Sequence, residues 1–286
     1  MTLVTTRKVG NVEVVALLDG DEACGPIADA FPDVPPDAHA IAAERHPGVY
    51  AGDDWRLAVR AWLVRHPGGV ALVDTGVGPS TAVAMAWFPT PGRLHDALTE
   101  AGASADQIDT VVITHVHDDH VGGTVTADGA PAFPNARYLV QQADLDALVA
   151  WGEESEEDRE IEARAIAPLR ASGQLDAIDG HHVLTGDLEL RHAPGHTPGH
   201  QVLRITSRGD RLLISGDTWN HPSQFGRPEW ASATDAEPAR ATATRRAMLA
   251  DLLSHPGSVV APTHLDVPFG RIRTASDGRA AFDALA

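Results

Sequence analysis

The spacing of apolar and polar residues along this chain predicts a protein built largely from short strands. Apolar and polar residues alternate from Trp55 to Arg65, which is the period of a half-buried strand. The turn sequence His66-Pro67-Gly68-Gly69 then leads into an apolar run at Val70 to Val73, so this segment is interpreted as a β-hairpin. Further strands are predicted at 12–18, 110–113, 136–140, 183–184, 188–190, 202–206, 211–214 and 259–261.

Helical spacing occurs between these strands, so the pattern as a whole indicates an α/β fold. The predicted helices cover 92–101, 144–151, 235–253 and a terminal segment, 272–286. Ser104 and Gln107 have the spacing of a capping box at the start of a short turn. The most acidic block, Glu153 to Glu162, predicts a solvated helix face rather than a cation site, because no histidine accompanies its carboxylates.

One long segment, residues 21–54, lacks a clear period. Five prolines interrupt it, which predicts a loop rather than a long helix. Loops of this length in compact domains are usually functional, so we interpret it as a wall of the substrate pocket, with an arm of a homodimer as the equal alternative. Since neither an internal repeat nor a linker divides the sequence, we expect a single domain over residues 1–286.

Composition narrows the classes of partner. A formal net charge of −18 disfavours binding to a nucleic-acid backbone. Cys24 is the single cysteine, which excludes an intramolecular disulfide and a thiolate metal cluster. The first ten residues lack the apolar core of a signal peptide, and no apolar run approaches the ~20 residues that span a bilayer. We therefore expect a soluble cytoplasmic protein whose partner is a small molecule, not a membrane.

The densest chemistry follows the predicted strand at 110–113. His115 and His117 are two residues apart in an extended segment, so their side chains point to the same side. The turn permitted by Gly122 and Gly123 can direct Asp119 and His120 toward a second point. This arrangement suits two metal ions better than one, with Asp118 outside the ligand set.

Further candidate ligands stand at the ends of later strands or on turns between them. His196 lies on a turn held by proline and glycine, and Asp217 and His264 each follow an apolar run. Asp74 follows another strand, where its carboxylate can accept a hydrogen bond from a metal-binding imidazole or simply close a turn. Ligands at strand ends converge on one edge of a layered fold.

The count of these ligands is informative. One set of three contains His115, His117 and His196, a second contains Asp119, His120 and His264, and Asp217 is left to bridge them, although spacing alone does not assign ligands to ions. Each set leaves room for water, as catalytic sites do. Imidazole and carboxylate donors without thiolate favour two divalent ions, zinc first, with manganese, cobalt or iron as alternatives.

This combination of motifs, from Asp74-Thr75-Gly76 to His264, resembles the metallo-β-lactamase superfamily. The resemblance implies a four-layer αββα sandwich of mixed sheets, a dinuclear metal site at one edge with the ligands just given, and Asp74 in a supporting position. His200, on the same turn as His196, is interpreted as a structural residue beside the ligands.

Within that superfamily, the sequence from Asp217 to Gly270 looks most similar to the branch of acyl-homoserine lactonases and methyl-parathion-type hydrolases. A bridging aspartate and the near absence of lysine disfavour the true β-lactamases, and the lack of a basic cluster disfavours glyoxalase II. Some lactonases carry a tyrosine three residues beyond the bridging aspartate. Asn220 occupies that position here, which leaves neighbouring His221 as a candidate replacement.

These features predict a hydrolase that cleaves a lactone or a carboxylic or phosphoric ester of a small, mostly neutral molecule by a metal-bound hydroxide. Asp119 or His221 would transfer a proton to the leaving alkoxide. Two alternatives are a mononuclear iron dioxygenase of the same fold acting on a thiol or persulfide, and a binding protein without catalytic activity. A single iron with oxygen consumption would identify the first alternative.

Overall fold

The computed structural model describes residues 2–285 and contains two mixed β-sheets. The first sheet contains β1 (Val4–Val9), β2 (Val12–Pro26), β3 (Tyr50–Ala51), β4 (Asp54–His66), β5 (Gly69–Val73), β6 (Thr110–Val112), β7 (Arg137–Gln141) and β8 (Leu175–Ile178). Its order is β1-β2-β4-β5-β6-β7-β8, with β3 paired to β4. The pairs β5–β6, β6–β7 and β7–β8 are parallel, whereas the hairpins of the first half are antiparallel.

The second sheet is built from the rest of the chain. It contains β9 (His182–Val183), β10 (Leu188–His192), β11 (Gln201–Ser207), β12 (Asp210–Ile214), β13 (Val259–Ala261), β14 (Gly270–Thr274) and β15 (Ala280–Ala284). The strands lie in the order β15-β14-β13-β12-β11-β10-β9, and β12–β13 is its parallel pair.

Nine α-helices within residues 2–285 connect these strands. They are α1 (Ile27–Ala30), α2 (Pro36–Arg45), α3 (Leu94–Glu100), α4 (Asp118–Val121), α5 (Gln142–Trp151), α6 (Glu156–Ile161), α7 (Ala167–Ser172), α8 (Ser223–Gly226) and α9 (Pro238–Ser254). Short 3-10 turns lie at Pro47–Val49, Val83–Ala86, Ala105–Gln107, Gly122–Thr124 and Gly216–Thr218, and a π-helical turn at Glu162–Ile166 joins α6 to α7. In the described part of the chain no helix combines the length and apolarity needed to cross a bilayer.

The apolar residues pack in successive layers. The alternation in the strands divides each sheet into two apolar faces, because neighbouring side chains point in opposite directions. Trp62 and Val73 of the first sheet pack with Leu203 and Ile214 of the second in a core between the sheets. Separate apolar clusters join the outer face of the first sheet to α3, α5, α6 and α7, and that of the second to α8 and α9. The four-layer αββα arrangement is thereby confirmed.

Two expectations about local structure were wrong. The segment 21–54 is not an irregular loop: β2 continues to Pro26, and α2 begins at Pro36, where the fixed φ of proline suits the first turn of a helix. The C-terminal segment forms the β14–β15 hairpin instead of a helix. Ile272 pairs with Phe282 across this hairpin, and Asp277-Gly278 form its turn, with φ of +81° at the glycine.

The topology brings several strand ends to one edge of the sandwich. The parallel strands β5 and β6 end just before Asp74 and His115, and the parallel strands β12 and β13 end just before Asp217 and His264. Because parallel neighbours present their carboxyl ends on the same side, residues from both sheets meet there.

Candidate metal centre

Seven side chains at this edge bring their donor atoms together in two sets of three that adjoin one shared carboxylate. The sets are His115, His117 and His196, and Asp119, His120 and His264, and within each set the donor atoms lie within 4.8 Å of one another. Asp217 lies against both sets. All seven side chains are buried except that of His117, which is half-buried.

Distances within the first set have the scale of a coordination site. The Nδ1 atom of His117 lies 3.0 Å from Nε2 of His115 and 3.0 Å from Nε2 of His196. Tetrahedral zinc with Zn–N bonds of about 2.05 Å places its nitrogens about 3.3 Å apart. The three nitrogens therefore surround a point at which a divalent ion fits.

The second set has similar dimensions. Nε2 of His120 and Nε2 of His264 lie 3.3 Å apart, and the Asp119 carboxylate oxygens lie 3.7 and 3.5 Å from these two nitrogens. Among the described residues, only histidine and aspartate contribute donors to this set. Such donors suit zinc, manganese, cobalt or iron better than a purely oxygen-binding ion such as calcium.

Asp217 is placed to bridge the two sets. Its Oδ2 atom lies 3.0 Å from Nε2 of His264 and 3.5 Å from Nε2 of His196. Its Oδ1 atom lies 3.1 Å from Nε2 of His120, yet it is buried and accepts no hydrogen bond of acceptable geometry within residues 2–285. A buried carboxylate oxygen without a hydrogen bond is costly, and coordination of a cation offsets that cost.

Three of the imidazole rings are held by hydrogen bonds that direct Nε2 toward the centre. Nδ1 of His120 lies 2.9 Å from Asp74 Oδ2, Nδ1 of His196 lies 3.1 Å from Asp235 Oδ1, and Nδ1 of His264 lies 2.9 Å from a backbone carbonyl oxygen. Since these acceptors require a proton on Nδ1, Nε2 is the nitrogen left to bind an ion, which must displace any proton there. The residues present therefore fit a pair of divalent ions.

Asp74 is held in an unusual backbone conformation that aims its carboxylate. Its φ is +60°, a value that residues other than glycine rarely adopt and that costs of order 1–3 kcal/mol. In return, Oδ1 accepts the backbone N–H of Thr114 at 2.7 Å, and Oδ2 accepts the Thr114 hydroxyl at 2.8 Å. One carboxylate thus orients both the start of the ligand motif and the ring of His120.

Charges within the centre complement one another. Burial, followed by the neighbouring imidazoles, holds the pKa of His115 and His117 well below the usual range. Burial opposes charge on His120 as well, but Asp217, Asp119 and Asp74 raise its pKa well above the usual value. Although burial favours a neutral Asp217, the imidazoles of His264, His120 and His115 lower its pKa well below 3.8.

His200 lies against the ligands without facing the two sets. Its Nε2 atom accepts the backbone N–H of Asp217 at 3.0 Å, so the proton is on Nδ1, which lies 3.2 Å from the Ala193 carbonyl oxygen. Burial, followed by the nearby His196, lowers the pKa of this ring to about 3. In this neutral form His200 fixes the backbone that carries Asp217.

His221 is not in the position expected of a proton donor. The ring is fully buried and lies 5.6 Å from the rings of Phe31 and Tyr50, and 5.7 Å from that of Trp230. It is not among the residues that line the cavity over the ligands, whereas Asn220 is. The structure therefore does not bring His221 to the centre, and of the two expected proton-transfer residues it brings only Asp119 there.

Asn220, and not its neighbour His221, contacts the metal ligands. Its Nδ2 atom donates to Asp217 Oδ2 at 3.2 Å, which fixes the orientation of the amide because a carboxylate only accepts. The side chain is 2% exposed. Asn220 thus holds the carboxylate of Asp217 through the oxygen that also lies nearest to His264.

Sequence reasoning missed several buried residues that position this site. Asp235 accepts from His196 and also forms an ion pair with Arg245 at 2.7 Å. Asp144 accepts the backbone N–H of Gly199 at 2.6 Å and the hydroxyl of Thr197 at 3.0 Å. No local motif marks either carboxylate, because each acts on a residue at least 39 positions away.

Arg60 also departs from the sequence pattern. The alternation from Trp55 to Arg65 places it on the polar side of the strand, but it is 5% exposed and donates to the carbonyl oxygens of Thr263 and Leu265. These bonds secure the loop that carries His264. The alternation of apolar and polar residues in a strand does not reveal a buried arginine whose hydrogen-bond acceptors are backbone carbonyls in a distant loop.

A cavity of about 580 Å³ lies directly over the centre. Its walls include His117, Asp119, Asp217 and His264, so the donor atoms form part of its floor. Four residues from the 21–54 segment, Cys24, Pro26, Asp29 and Ala30, also line the cavity. The cavity is large enough for a small organic molecule.

Comparison with known proteins is consistent with these features. The model of the metallo-beta-lactamase superfamily matches residues 54–264. An N-acyl homoserine lactonase of Bacillus sp is 27% identical over 176 residues, which is 56% of this chain and 64% of that relative. A hydroxyacylglutathione hydrolase of Aeromonas hydrophila is 30% identical over 157 residues, which is 55% of this chain and 45% of that relative. The chain thus spans less than two thirds of these relatives.

Solved structures show a closely similar fold over the whole chain. The hydrolase AbOPH of the beta lactamase superfamily is 24% identical, with a TM-score of 0.86 and coverage of 100% of this chain and 98% of that one. AidC, a dizinc quorum-quenching lactonase solved with the product N-hexnoyl-L-homoserine, is 24% identical, with a TM-score of 0.85 and coverage of 100% and 99%. At this identity the likeness concerns the fold.

Proposed function

Because the chain belongs to the metallo-β-lactamase superfamily, we propose that it is a metal-dependent hydrolase acting on an ester-type bond, a lactone or a carboxylic or phosphoric ester, of a small molecule. The observation that carries this proposal is the pair of adjoining three-ligand sets around Asp217 on the floor of a cavity of about 580 Å³. The names of the relatives, an N-acyl homoserine lactonase and a hydroxyacylglutathione hydrolase, support it.

The protein residues divide the work at this site. Two divalent ions, zinc in our proposal, would supply Lewis acidity and a water of lowered pKa. Asp74 and Asp235 hold the rings of His120 and His196, so the ligand atoms need not reorganise during the reaction. Asp119 lines the cavity and is 7% exposed, so it can receive a proton and pass it to the departing alkoxide.

Asp217→Asn tests the function. We expect the variant to fold like the parent and to retain fewer than two metal ions per chain. Its kcat/KM for a simple lactone or aryl ester should fall at least ~100-fold, because a neutral amide replaces the carboxylate shared by the two ligand sets. Metal content, circular dichroism and initial rates measure these three effects.

Asp179→Asn is a matched control, because that aspartate is exposed and far from the ligand motif in sequence. It should behave like the parent protein. A protein that hydrolyses these substrates fully without metal contradicts the proposal, as does one that holds a single iron and consumes oxygen with a thiol or persulfide.

A further inference from the structure

The cavity over the metal centre has an unusual charge. Besides the metal ligands and Asp118, whose carboxylate accepts the indole N–H of Trp87, three more carboxylates line its walls, those of Asp29, Glu157 and Asp158. Neither lysine nor arginine is found among its lining residues, although the chain contains 22 of them. Within residues 2–285, the ion pairs of nearby acidic residues involve Glu160 and Glu162 and not these three carboxylates. A cation in the cavity would therefore meet carboxylates without a competing protein cation.

Acidic residues on the surface of an acidic protein are often simply solvated. The cavity, however, is also lined by tryptophan rings. Three of the six tryptophans of the chain, Trp55, Trp87 and Trp151, line it. Trp87 is 39% exposed, and its indole N–H donates to Asp118 Oδ2 at 2.8 Å, which anchors the edge of an otherwise open ring. Tryptophan faces attract organic cations through the electron density of the ring.

The elements that carry these groups are brought together by the fold. Trp151 ends α5, and Glu157 and Asp158 lie in the first turn of α6, so one connection supplies both a ring and two carboxylates. Asp29 lies on α1, which reaches the cavity from the segment following β2. Glu156, the neighbouring residue on α6, does not line the cavity, whereas Glu157 and Asp158 do, so its charge lies outside the proposed site.

We propose that the substrate carries a positive charge, as a quaternary or protonated ammonium group attached to a small ester or lactone, and that this group binds between the tryptophans and the carboxylates of Glu157 and Asp158. The inference rests on the proposed function, because it assigns a substrate class to the same site. It replaces the expectation of a mostly neutral substrate. A carboxylate-bearing ester meets only like charge on these walls and is a poor substrate.

An isosteric pair of esters provides the test. The acetate of choline and the acetate of 3,3-dimethylbutanol have the same shape and differ in having N⁺ or carbon at the branch point. The kcat/KM of metal-replete protein for each, divided by its rate of hydroxide hydrolysis, removes the intrinsic difference in reactivity. We expect the cationic ester to be preferred by at least ~10-fold, through the combined effect of cation–π and exposed ion-pair contacts. The preference should shrink in 0.5 M salt, where the Debye length falls to between about 3 and 10 Å.

Variants locate the effect. The double variant Glu157→Gln and Asp158→Asn keeps shape and hydrogen-bonding capacity but removes both charges, and it should bring the corrected preference to within ~3-fold of unity. Glu156→Gln removes a charge from the same helix outside the cavity and should leave the preference unchanged. Equal rates for the two esters overturn the inference, and so does an equal loss in the control and the double variant.

A binding measurement separates this inference from the proposed function. Tetramethylammonium, titrated without substrate, should quench the fluorescence of the cavity tryptophans in the parent protein and in Glu156→Gln, but not in the double variant, and tert-butanol should not quench. Binding without hydrolysis of any ester contradicts the proposed function and supports the charge recognition. Hydrolysis without preference or quenching supports the function and overturns the inference.

Discussion

The contacts of single side chains explain why His221 is neutral. The backbone N–H of Ser223 donates to its Nδ1 at 3.1 Å, which places the ring proton on Nε2, and Nε2 has no acceptor within residues 2–285. Burial, followed by repulsion from His46 and His39, lowers the pKa of this ring to about 3. A protonated His221 would lose its hydration without gaining a carboxylate or a carbonyl oxygen in contact with Nε2, so the neutral ring is favoured.

This pKa makes His221 a source of acid sensitivity. The unfolded chain protonates this histidine below its ordinary pKa of 6.5, whereas the folded protein does so only near 3, so stability is full above 6.5 and is lost as the pH falls between these values. At pH 5 the loss is about 2 kcal/mol. We expect His221→Phe to show a correspondingly smaller decrease in urea-unfolding free energy between pH 7.5 and 5 than the parent.

His192→Phe serves as the comparison for this pH series, because that exposed histidine has no such burial. Its decrease in stability between pH 7.5 and 5 should match the parent. Equal pH slopes for His221→Phe and the parent would mean that the ring of His221 is hydrated and free to titrate.

At the scale of elements, the C-terminal hairpin is held by a short stack of aromatic rings. Phe282 on β15 stacks on Phe225 of α8 with ring centroids 5.0 Å apart, and Phe225 stacks on Trp219 at 4.7 Å. Trp219 directly precedes Asn220, which holds the bridging carboxylate. The hairpin therefore packs against the segment that supports the metal centre.

Removing one ring tests this packing. Phe282→Ala should lower the free energy of unfolding by roughly 1–3 kcal/mol, less than the 3–5 kcal/mol of a fully buried phenylalanine, because Phe282 is half-buried. Phe282→Leu, which keeps most of the apolar volume, should cost less than about 1.5 kcal/mol. Urea unfolding measures both, and an unchanged stability of the alanine variant would show that the hairpin does not contribute to the fold.

The same hairpin shows where the sequence is informative and where it is not. The ligand motif was readable because four of its side chains lie within six residues of one another, so their geometry depends on local structure. The segment 272–286 was assigned to a helix, and it is rich in alanine, which favours helices, so its own composition does not reveal the hairpin. Its pairing with β13 through Gly270 depends on a contact with another part of the chain.

The same limit applies to the residues around the ligands. Asp74 could be predicted because it follows an apolar strand and precedes glycine, as ligand supports at strand ends do. Asp235 could not, since its acceptor role depends on the packing of the turn at His196 against the start of α9. His221 could not be separated from Asn220 in the sequence, because one residue of difference in a turn decides whether a side chain lines the cavity, as Asn220 does, or packs against Phe31 and Tyr50.

For the whole molecule, the centre links stability to metal. The net charge is −18, and the site adds buried carboxylates whose repulsion bound cations remove. We expect chelation to lower the melting temperature, and restoration of zinc at 100 times its dissociation constant to raise the stability by about 2.7 kcal/mol for each ion bound. Differential scanning calorimetry measures the shift, and Asp217→Asn should show a smaller one. A melting temperature unaffected by chelation would mean that the folded apoprotein gains nothing from the ions.

The division of the ligands between the two sheets has a kinetic consequence. Each set takes two ligands from the segment 115–120, which follows β6 of the first sheet, and a third, His196 or His264, from the half of the chain that forms the second sheet. Each bound ion would therefore act as a cross-link between the two halves of the sandwich. The sheets could then separate only after a ligand leaves both ions, so the rate of unfolding, and with it the lifetime of the protein against proteases, would follow the rate of metal release.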